Sequence, residues 1–265
     1  MNNRISKKFS ELKNKREKAL VGFVTAGDPS LDRSLEIVRA AIGAGVDVLE
    51  LGVPFSDPTA DGPVIQRASA RALAAGSNLP AIFELVRALR RESEVPIVLF
   101  SYYNPIHAYG PADFLRNAAA AGTDGLLVVD LPPEEAAELG HGSDLCRIRL
   151  VAPTTPPERI ARIASGAAGF LYLVSKTGVT GSEGIDMSEV REQLSRIRAV
   201  SPLPVCVGFG ISSPESAAAA AAVADGVVVG SALVRIVEEH RDAADLPARV
   251  AAKARELKEA IRCAV

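Results

Sequence analysis

The sequence predicts an α/β protein of the (β/α)8 class, a TIM barrel with extra short helices and a single domain over residues 1–265. A short apolar run, a polar or Gly/Pro-rich loop and a helical stretch rich in Ala, Leu and Arg alternate along the chain, eight times in all. The composition never shifts in a way that would indicate a domain boundary. A chain of this length suits one such barrel, which typically takes about 250 residues.

The predicted strands are short and largely apolar without alternation, as expected for parallel strands that are covered on both faces. They span residues 20–25, 48–51, 97–101, 125–129, 148–151, 170–174, 205–207 and 226–229. A helix is predicted after each strand, at residues 31–44, 79–91, 111–121, 134–139, 158–165, 187–199, 214–223 and 232–240, and a closing helix at 246–265.

Two glycine-rich loops favour a barrel over a doubly wound sheet. Gly208, Phe209 and Gly210 follow the seventh strand, and Gly230 and Ser231 follow the eighth. Glycine lets backbone N–H groups approach phosphate oxygens, and the N-terminus of a following helix adds a favourable dipole. Barrels bind phosphate at this position, whereas a dinucleotide fold carries its glycine loop after the first strand. One such loop is often a plain turn, but two adjacent loops predict a phosphate site.

Composition favours a small-molecule function in the cytoplasm. The net charge of −2 gives no electrostatic footprint for nucleic acid or an anionic membrane. Residues 1–18 are polar and lack the apolar core of an export signal, and no apolar run approaches the roughly 20 residues that span a bilayer. The three cysteines lack CxxC spacing and the three histidines are scattered, so we expect neither a disulfide framework nor a metal site.

Glu50 is the strongest candidate for catalysis because it interrupts an apolar strand. A carboxylate in a strand built for burial is costly unless it is paired, faces the barrel mouth or becomes neutral. One interpretation is structural, with Glu50 paired to an Arg or Lys inside the barrel. The favoured one is functional, since a partly desolvated carboxyl group with a raised pKa can both donate and accept protons near neutrality.

A second carboxylate, Asp61, follows in the loop 54–63. Three prolines and a glycine restrict this loop at the carboxyl end of the strand, where barrel enzymes place their active sites. Asp57 and Asp61 could merely form Asx turns or cap the next helix. For Asp57 that interpretation is preferred, whereas Glu50 upstream favours a role for Asp61 over the same pocket.

The loop after the sixth strand is the third candidate element. Residues 178–184 hold three glycines and small hydroxyl residues, which is typical of a lid that closes over a ligand, although an ordinary exposed loop has the same composition. Lys176 raises a separate possibility, because a desolvated lysine at a strand end could form a Schiff base with a carbonyl substrate.

Three parts of the sequence together resemble the tryptophan synthase α-subunit family. They are ELGVPFSDP with DGP at 50–58 and 61–63, KTGVTG at 176–181, and GFGI at 208–211. The similarity extends from about Phe9 to the C-terminal helix. It implies a carbon–carbon lyase that cleaves indole-3-glycerol phosphate to indole and glyceraldehyde 3-phosphate by a retro-aldol reaction.

The resemblance also implies roles for individual residues. Glu50 would protonate C3 of the indole ring and take the proton of the side-chain hydroxyl, and Asp61 would hold the indole N–H. The remaining positions are the walls of the indole pocket (Phe23, Tyr102 and Leu127), the residues that support the carboxylates (Tyr172 and Thr180) and the phosphate-binding positions (Gly181, Gly210, Gly230 and Ser231). Phe209, next to Gly210, would also bind the substrate.

A partner and the absence of a cofactor are implied in the same way. The resemblance implies that this chain needs no cofactor or metal and that it forms an α2β2 heterotetramer with a β subunit, which uses pyridoxal phosphate and receives indole. A stand-alone indole-3-glycerol-phosphate lyase remains an alternative, as does a catalytically silent partner that binds the ligand and regulates a β subunit. The Schiff-base alternative is disfavoured because the family tolerates arginine at the position of Lys176.

One segment departs from the family's pattern. The fourth helix is shorter than expected, and Gly140 and Gly142 at helical positions would each cost about 1 kcal/mol relative to alanine. The segment lies N-terminal to the fifth strand, away from the barrel mouth, so the departure concerns stability rather than activity.

Overall fold

The predicted barrel is confirmed. A computed structural model describes residues 3–140, 143–175, 187–208 and 210–264. Eight parallel strands pair in chain order, β1 with β2 through to β8 with β1, and close into a barrel. They are β1 Ala19–Thr25, β2 Val48–Gly52, β3 Ile97–Ser101, β4 Gly125–Val128, β5 Cys146–Val151, β6 Leu171–Val174, β7 Val205–Gly208 and β8 Gly226–Val229.

Helices surround the barrel. They are α1 Arg4–Asn14, α2 Leu31–Gly43, α3 Pro63–Ala74, α4 Leu79–Arg90, α5 Tyr103–Tyr109, α6 Pro111–Ala121, α7 Pro157–Ser165, α8 Met187–Val200, α9 Pro214–Ala221, α10 Ser231–Glu239 and α11 Leu246–Cys263. Side chains cap several N-termini: Ser30 accepts a hydrogen bond from the backbone of α2, and Asn78 does so for α4. The predicted strands and helices agree with these bounds to within two residues.

Three helices, α1, α3 and α5, were not predicted. Helix α1 is strongly charged, and its apolar stripe of Ile5, Phe9 and Leu12 was overlooked. Helix α3 starts at Pro63, directly after the restricted loop that was interpreted as irregular up to that point. Proline at the first helical position is favourable, so Gly62-Pro63 marked a helix start rather than only a turn.

The segment between β4 and β5 contains a 3₁₀ helix, Pro133–Leu139, in place of the α-helix predicted at 134–139. It ends at Gly140, which has a φ of 76° and lies just outside the helix. The expected cost of Gly140 in a helix was therefore wrong, because a left-handed residue after a helix end favours glycine. Gly142 lies outside the described residues.

The barrel interior is a buried cluster built from alternate residues of all eight strands, for example Val21, Val48, Leu127 and Tyr172. The intervening residues pack against the helices in a separate, larger cluster. Phe9 of α1 joins the interior cluster and lies with its ring 5.7 Å from that of Phe170. Helix α1 thus packs at the N-terminal end of the strands, which leaves their carboxyl ends for the site.

Helix α11 is fixed to the barrel by a buried charge. The Lys258 side chain is 4% exposed, and its Nζ donates to Asp47 Oδ2 at 2.7 Å and to the Lys18 carbonyl at 2.9 Å. Asp47 Oδ2 also accepts from the Leu20 N–H at 2.8 Å. A buried, multiply bonded ion pair is costly to break, because removing one partner leaves the other charge desolvated.

Lys258→Ala should therefore lower the free energy of unfolding by about 3–5 kcal/mol. Arg249→Ala is the control: it removes an exposed ion pair with Asp245 on the same helix and should cost less than about 1 kcal/mol. Urea unfolding of both variants measures the difference. Equal losses in the two variants would show that Lys258 does not fix α11.

Candidate active site at the carboxyl ends of the strands

Glu50 lies in the middle of β2 and belongs to the inward-facing set of residues. It is paired in register with Phe23 of β1 and Val98 of β3. Its side chain is almost completely buried, at 1% exposure, and Oε1 has no hydrogen-bond partner among the described residues. No ion pair with a described Arg or Lys accounts for it, so the structural interpretation of Glu50 is not supported in this part of the chain.

Burial raises the pKa of Glu50 from its ordinary value of 4.5 to about 8. Desolvation is the cause, since a carboxylate in a low-dielectric interior without a partner loses its hydration. The carboxyl group is therefore largely protonated at neutral pH, and because its pKa is close to neutrality a minor fraction is ionised. A group in this state can act as an acid and, after losing its proton, as a base.

Two inward-facing side chains experience the charge of Glu50. Burial and the charge of Glu50 raise the pKa of Tyr172 and that of Cys206 well above their ordinary values. The Tyr172 hydroxyl lies directly over Gly208, where any β-carbon would collide with it. Glycine at the end of β7 thus creates the space that this tyrosine occupies next to Glu50.

Asp61 is held by Tyr102. The Tyr102 hydroxyl accepts a hydrogen bond from the Ala60 N–H at 2.9 Å and donates one to Asp61 Oδ2 at 3.1 Å. Burial raises the pKa of Asp61 to about 6, and the hydrogen bond from Tyr102 opposes this shift. Neither carboxyl group contributes to the pKa of the other, whereas the charges of both raise the pKa of Tyr172. Tyr172 therefore lies within electrostatic reach of both carboxyl groups.

An aromatic pair forms an apolar wall next to these groups. Phe23 is buried, and its ring meets that of Phe100 edge-on at 5.3 Å. Leu127, which is fully buried, is paired in register with Phe100. Phe23 and Leu127 were predicted from the sequence as pocket residues, whereas Phe100 was not. Phe100 could have been found from its position two residues after Val98, because residues two apart on a strand face the same side and Val98 faces inward.

The two glycine loops lie where they were predicted. β7 ends at Gly208 and β8 at Val229, and Gly230 is the N-cap of α10. The Gly230 carbonyl accepts from the N–H groups of Leu233 and Val234, so the helix starts at Ser231, which is exposed. Gly210 is also exposed.

Some of the predicted site residues lie outside the described part of the chain. They are Lys176, Thr180, Gly181 and Phe209. Asp57 is described, and it is exposed: its carboxylate accepts from the Ser56 hydroxyl, and its carbonyl accepts from the Thr59 N–H. The turn is made by the Asp57 backbone and not by its side chain, so it is neither the Asx turn nor the helix cap expected for Asp57.

No helix within the described ranges is long and apolar enough to cross a membrane. Over the same residues, no group of three His, Cys, Asp or Glu side chains is placed to hold a metal ion.

Fold and site together define a (β/α)8-barrel protein that holds two carboxyl groups of raised pKa beside an apolar wall. The sequence model of the tryptophan synthase alpha chain family matches residues 9–262. This chain belongs to the tryptophan synthase alpha chain family.

Individual relatives agree with this assignment. The chain is 57% identical to the tryptophan synthase alpha chain of Desulfatibacillum aliphaticivorans, over 97% of this chain and 98% of the relative. It is 51% identical to that of Geobacter sulfurreducens, with the same coverage. Among solved structures, tryptophan synthase subunit alpha from Legionella pneumophila superimposes with a TM-score of 0.89 at 41% identity, covering 98% of this chain and 99% of that one.

The burial of Glu50 predicts a specific pH dependence of stability. In the unfolded chain Glu50 ionises near pH 4.5, while in the folded protein it stays protonated up to about pH 8. Between these values the folded state binds more protons, so the group makes the protein less stable as pH rises. Glu50→Gln keeps the volume and cannot ionise. Its free energy of unfolding should rise relative to wild type by up to about 1.4 kcal/mol per pH unit across this window.

Urea unfolding of both proteins at a series of pH values measures this difference. Because every other titrating group is shared, subtracting the two curves isolates Glu50. A difference that does not change with pH would contradict the assignment of a raised pKa to Glu50.

Proposed function

We propose that this chain is the α component of tryptophan synthase and that it cleaves indole-3-glycerol phosphate to indole and glyceraldehyde 3-phosphate. The observation that carries the proposal is the Glu50 carboxyl group, which is buried in the barrel and has a pKa of about 8. Membership of the tryptophan synthase alpha chain family supplies the substrate. We further propose that the chain acts as a single catalytic domain.

In the proposed reaction Glu50 acts twice. The protonated carboxyl group gives its proton to C3 of the indole ring, which converts the ring to its indolenine form. The resulting carboxylate then takes the proton of the hydroxyl on the adjacent side-chain carbon. As that oxygen becomes a carbonyl, the carbon–carbon bond breaks and its electron pair restores the aromatic indole. Glu50 ends protonated, so the cycle closes without a net change in the protein.

Asp61 is proposed to stabilise the positive charge that develops on the indole nitrogen. With a pKa of about 6, it is mostly ionised at neutral pH while Glu50 is not. The hydrogen bond from the Tyr102 hydroxyl occupies Asp61 Oδ2, so the other carboxylate oxygen of Asp61 can accept from the indole N–H. Two carboxyl groups whose environments separate their pKa values can thus divide the acid/base and electrostatic roles.

The remaining site residues are assigned to the two ends of the substrate. Phe23, Phe100, Tyr102 and Leu127 would enclose the indole ring, and Tyr172 would support Glu50. Backbone N–H groups near Gly210, in the loop after β7, and near Gly230 and Ser231, at the start of α10, would bind the phosphate, since a helix N-terminus favours an anion. Thr180, Gly181 and Phe209 remain predictions that rest on the family resemblance.

We propose that the chain works without its own cofactor or metal and in the cytoplasm. Its partner would be a β subunit that carries pyridoxal phosphate, in an α2β2 heterotetramer. Among solved structures, a chain from tryptophan synthase of M. tuberculosis superimposes on this one with a TM-score of 0.88 at 36% identity, covering 98% of this chain and 99% of that one.

Glu50→Gln should lose cleavage activity by at least about 100-fold, because a single general acid/base typically contributes a factor of this size or more. Glu84→Gln, which removes an exposed carboxylate paired with Arg87, should keep wild-type activity. The assay is the steady-state release of indole from indole-3-glycerol phosphate by purified protein. Comparable turnover in Glu50→Gln and Glu84→Gln would refute the role of Glu50.

Mixing with the cognate β subunit tests the assignment to a synthase complex. We expect the rate of indole-3-glycerol-phosphate cleavage to rise clearly on addition of the β subunit, since closure of an assembled site excludes water and positions its groups. Cleavage assays with and without the β subunit, with serum albumin as a protein control, measure the effect. High turnover that the β subunit leaves unchanged would instead identify a stand-alone lyase.

A further inference from the structure

Helices α3 and α10 lie side by side at the barrel mouth. Ala68 of α3 and Val234 of α10 are buried in one small cluster with Phe23 of β1. About one turn further along both helices, Arg71 contacts Glu238. The contacts advance in the same direction on the two helices, so α3 and α10 run parallel and their N-termini lie on the same side.

Arg71 makes three ionic hydrogen bonds that join separate elements. Its Nε and Nη2 donate to Asp28 Oδ1 and Oδ2 at 2.9 and 2.8 Å, a two-pronged contact with the loop after β1. Its Nη1 donates to Glu238 Oε1 of α10 at 2.9 Å. Such planar, bidentate contacts fix geometry as well as adding energy.

We call the contacts of Arg71 with Asp28 and Glu238 the Arg71 junction, and its burial and charge favour a permanent contact. The Arg71 side chain is only 17% exposed and that of Asp28 2%. Arg67, one turn before Arg71, also contacts Glu238, at 2.6 and 2.8 Å. The two arginines lower the pKa of Glu238 to about 2, so it stays charged throughout the working pH range.

The two linked helices carry opposite ends of the proposed site. Helix α3 begins two residues after Asp61, and Gln66 in its first turn donates to the Asp61 carbonyl at 2.8 Å. Helix α10 begins at Ser231, in the loop proposed to bind phosphate. A change in the spacing of the two helices would therefore change the distance between the indole end and the phosphate end of the site.

We infer that Arg71, through its contacts with Asp28 and Glu238, is a positioning residue that sets the spacing between Asp61 and the phosphate-binding end of the site. This inference rests on the proposed function. A substrate that spans both ends needs the correct spacing, whereas a ligand that fills only one end does not. The junction should thus affect the complete substrate selectively.

The test compares three variants. Glu238→Ala breaks the link between α3 and α10 but keeps the Arg71–Asp28 contact. Arg71→Gln removes the contacts of Arg71 with Asp28 and Glu238 but leaves Arg67 of α3 bound to Glu238. Arg87→Gln is the matched control, since it removes an exposed ion pair on α4, away from the junction. For each protein, kcat and KM are measured with indole-3-glycerol phosphate, and Kd is measured with indole alone and with glycerol phosphate alone.

In Glu238→Ala we expect kcat/KM to fall by about tenfold or more, because small misplacements of groups around a substrate are costly. Both Kd values should stay within about twofold of wild type, as should all constants of Arg87→Gln. Arg71→Gln should lower kcat/KM in the same selective way, because it separates α3 from Asp28, although Arg67 still links α3 to Glu238. If Arg71→Gln fails to fold with the buried Asp28 unpaired, Glu238→Ala decides alone.

Two results would overturn the inference. One is a kcat/KM of Glu238→Ala that matches Arg87→Gln. The other is a loss of affinity for indole or glycerol phosphate as large as the loss of kcat/KM, which would indicate general disruption rather than spacing. Failure of the proposed function would be recognised separately, because the wild-type protein itself would then not cleave the substrate.

Discussion

The proposed chemistry of this barrel depends on the desolvation of Glu50. The Glu50 carboxyl group is 1% exposed and pairs with no described cation, so its pKa rises to about 8. This environment makes the group an acid at neutral pH and brings its conjugate base within reach. The same burial costs stability, because a well-packed apolar or amide side chain would not carry the penalty of ionisation. Proteins commonly accept such a loss of stability at functional sites, even where the rest of the sequence favours the fold.

The rest of the architecture supports this environment. Helix α1 packs at the N-terminal end of the strands, and the inward-facing residues fill the interior below Glu50. At the other end, Phe23 and Phe100 form an apolar wall, and Tyr102 holds Asp61 in a setting where its pKa rises only to about 6. The two carboxyl groups differ because of their surroundings: Glu50 Oε1 has no hydrogen-bond partner among the described residues, whereas Asp61 accepts a hydrogen bond from Tyr102.

Much of this could be predicted from the sequence, and the exceptions have physical reasons. The strands were predictable because they are continuous apolar runs, and Glu50 was evident as a charge within one of them. Helix α1 was missed because its charged residues conceal a narrow apolar stripe, and α3 because a proline-rich loop leads directly into it. Helix α5 was missed because it has only seven residues and contains Pro105. Phe100 was missed because one apolar residue in an apolar strand gives no sign of facing the ligand. The junction of Arg71 with Asp28 and Glu238 joins residues 43 and 167 positions apart, so only the closed barrel brings them together.

The central claim is that Glu50 is a protonated carboxylic acid at neutral pH in the folded protein. The most direct test is a carbon-13 NMR titration of protein labelled at the glutamate side-chain carboxyl carbon, with Glu50→Gln used to assign the Glu50 signal. We expect the Glu50 signal to titrate near pH 8, far from the signals of the exposed glutamates. A Glu50 signal that titrates near the ordinary value of 4.5 would show that Glu50 is ionised at neutral pH and cannot act as the acid.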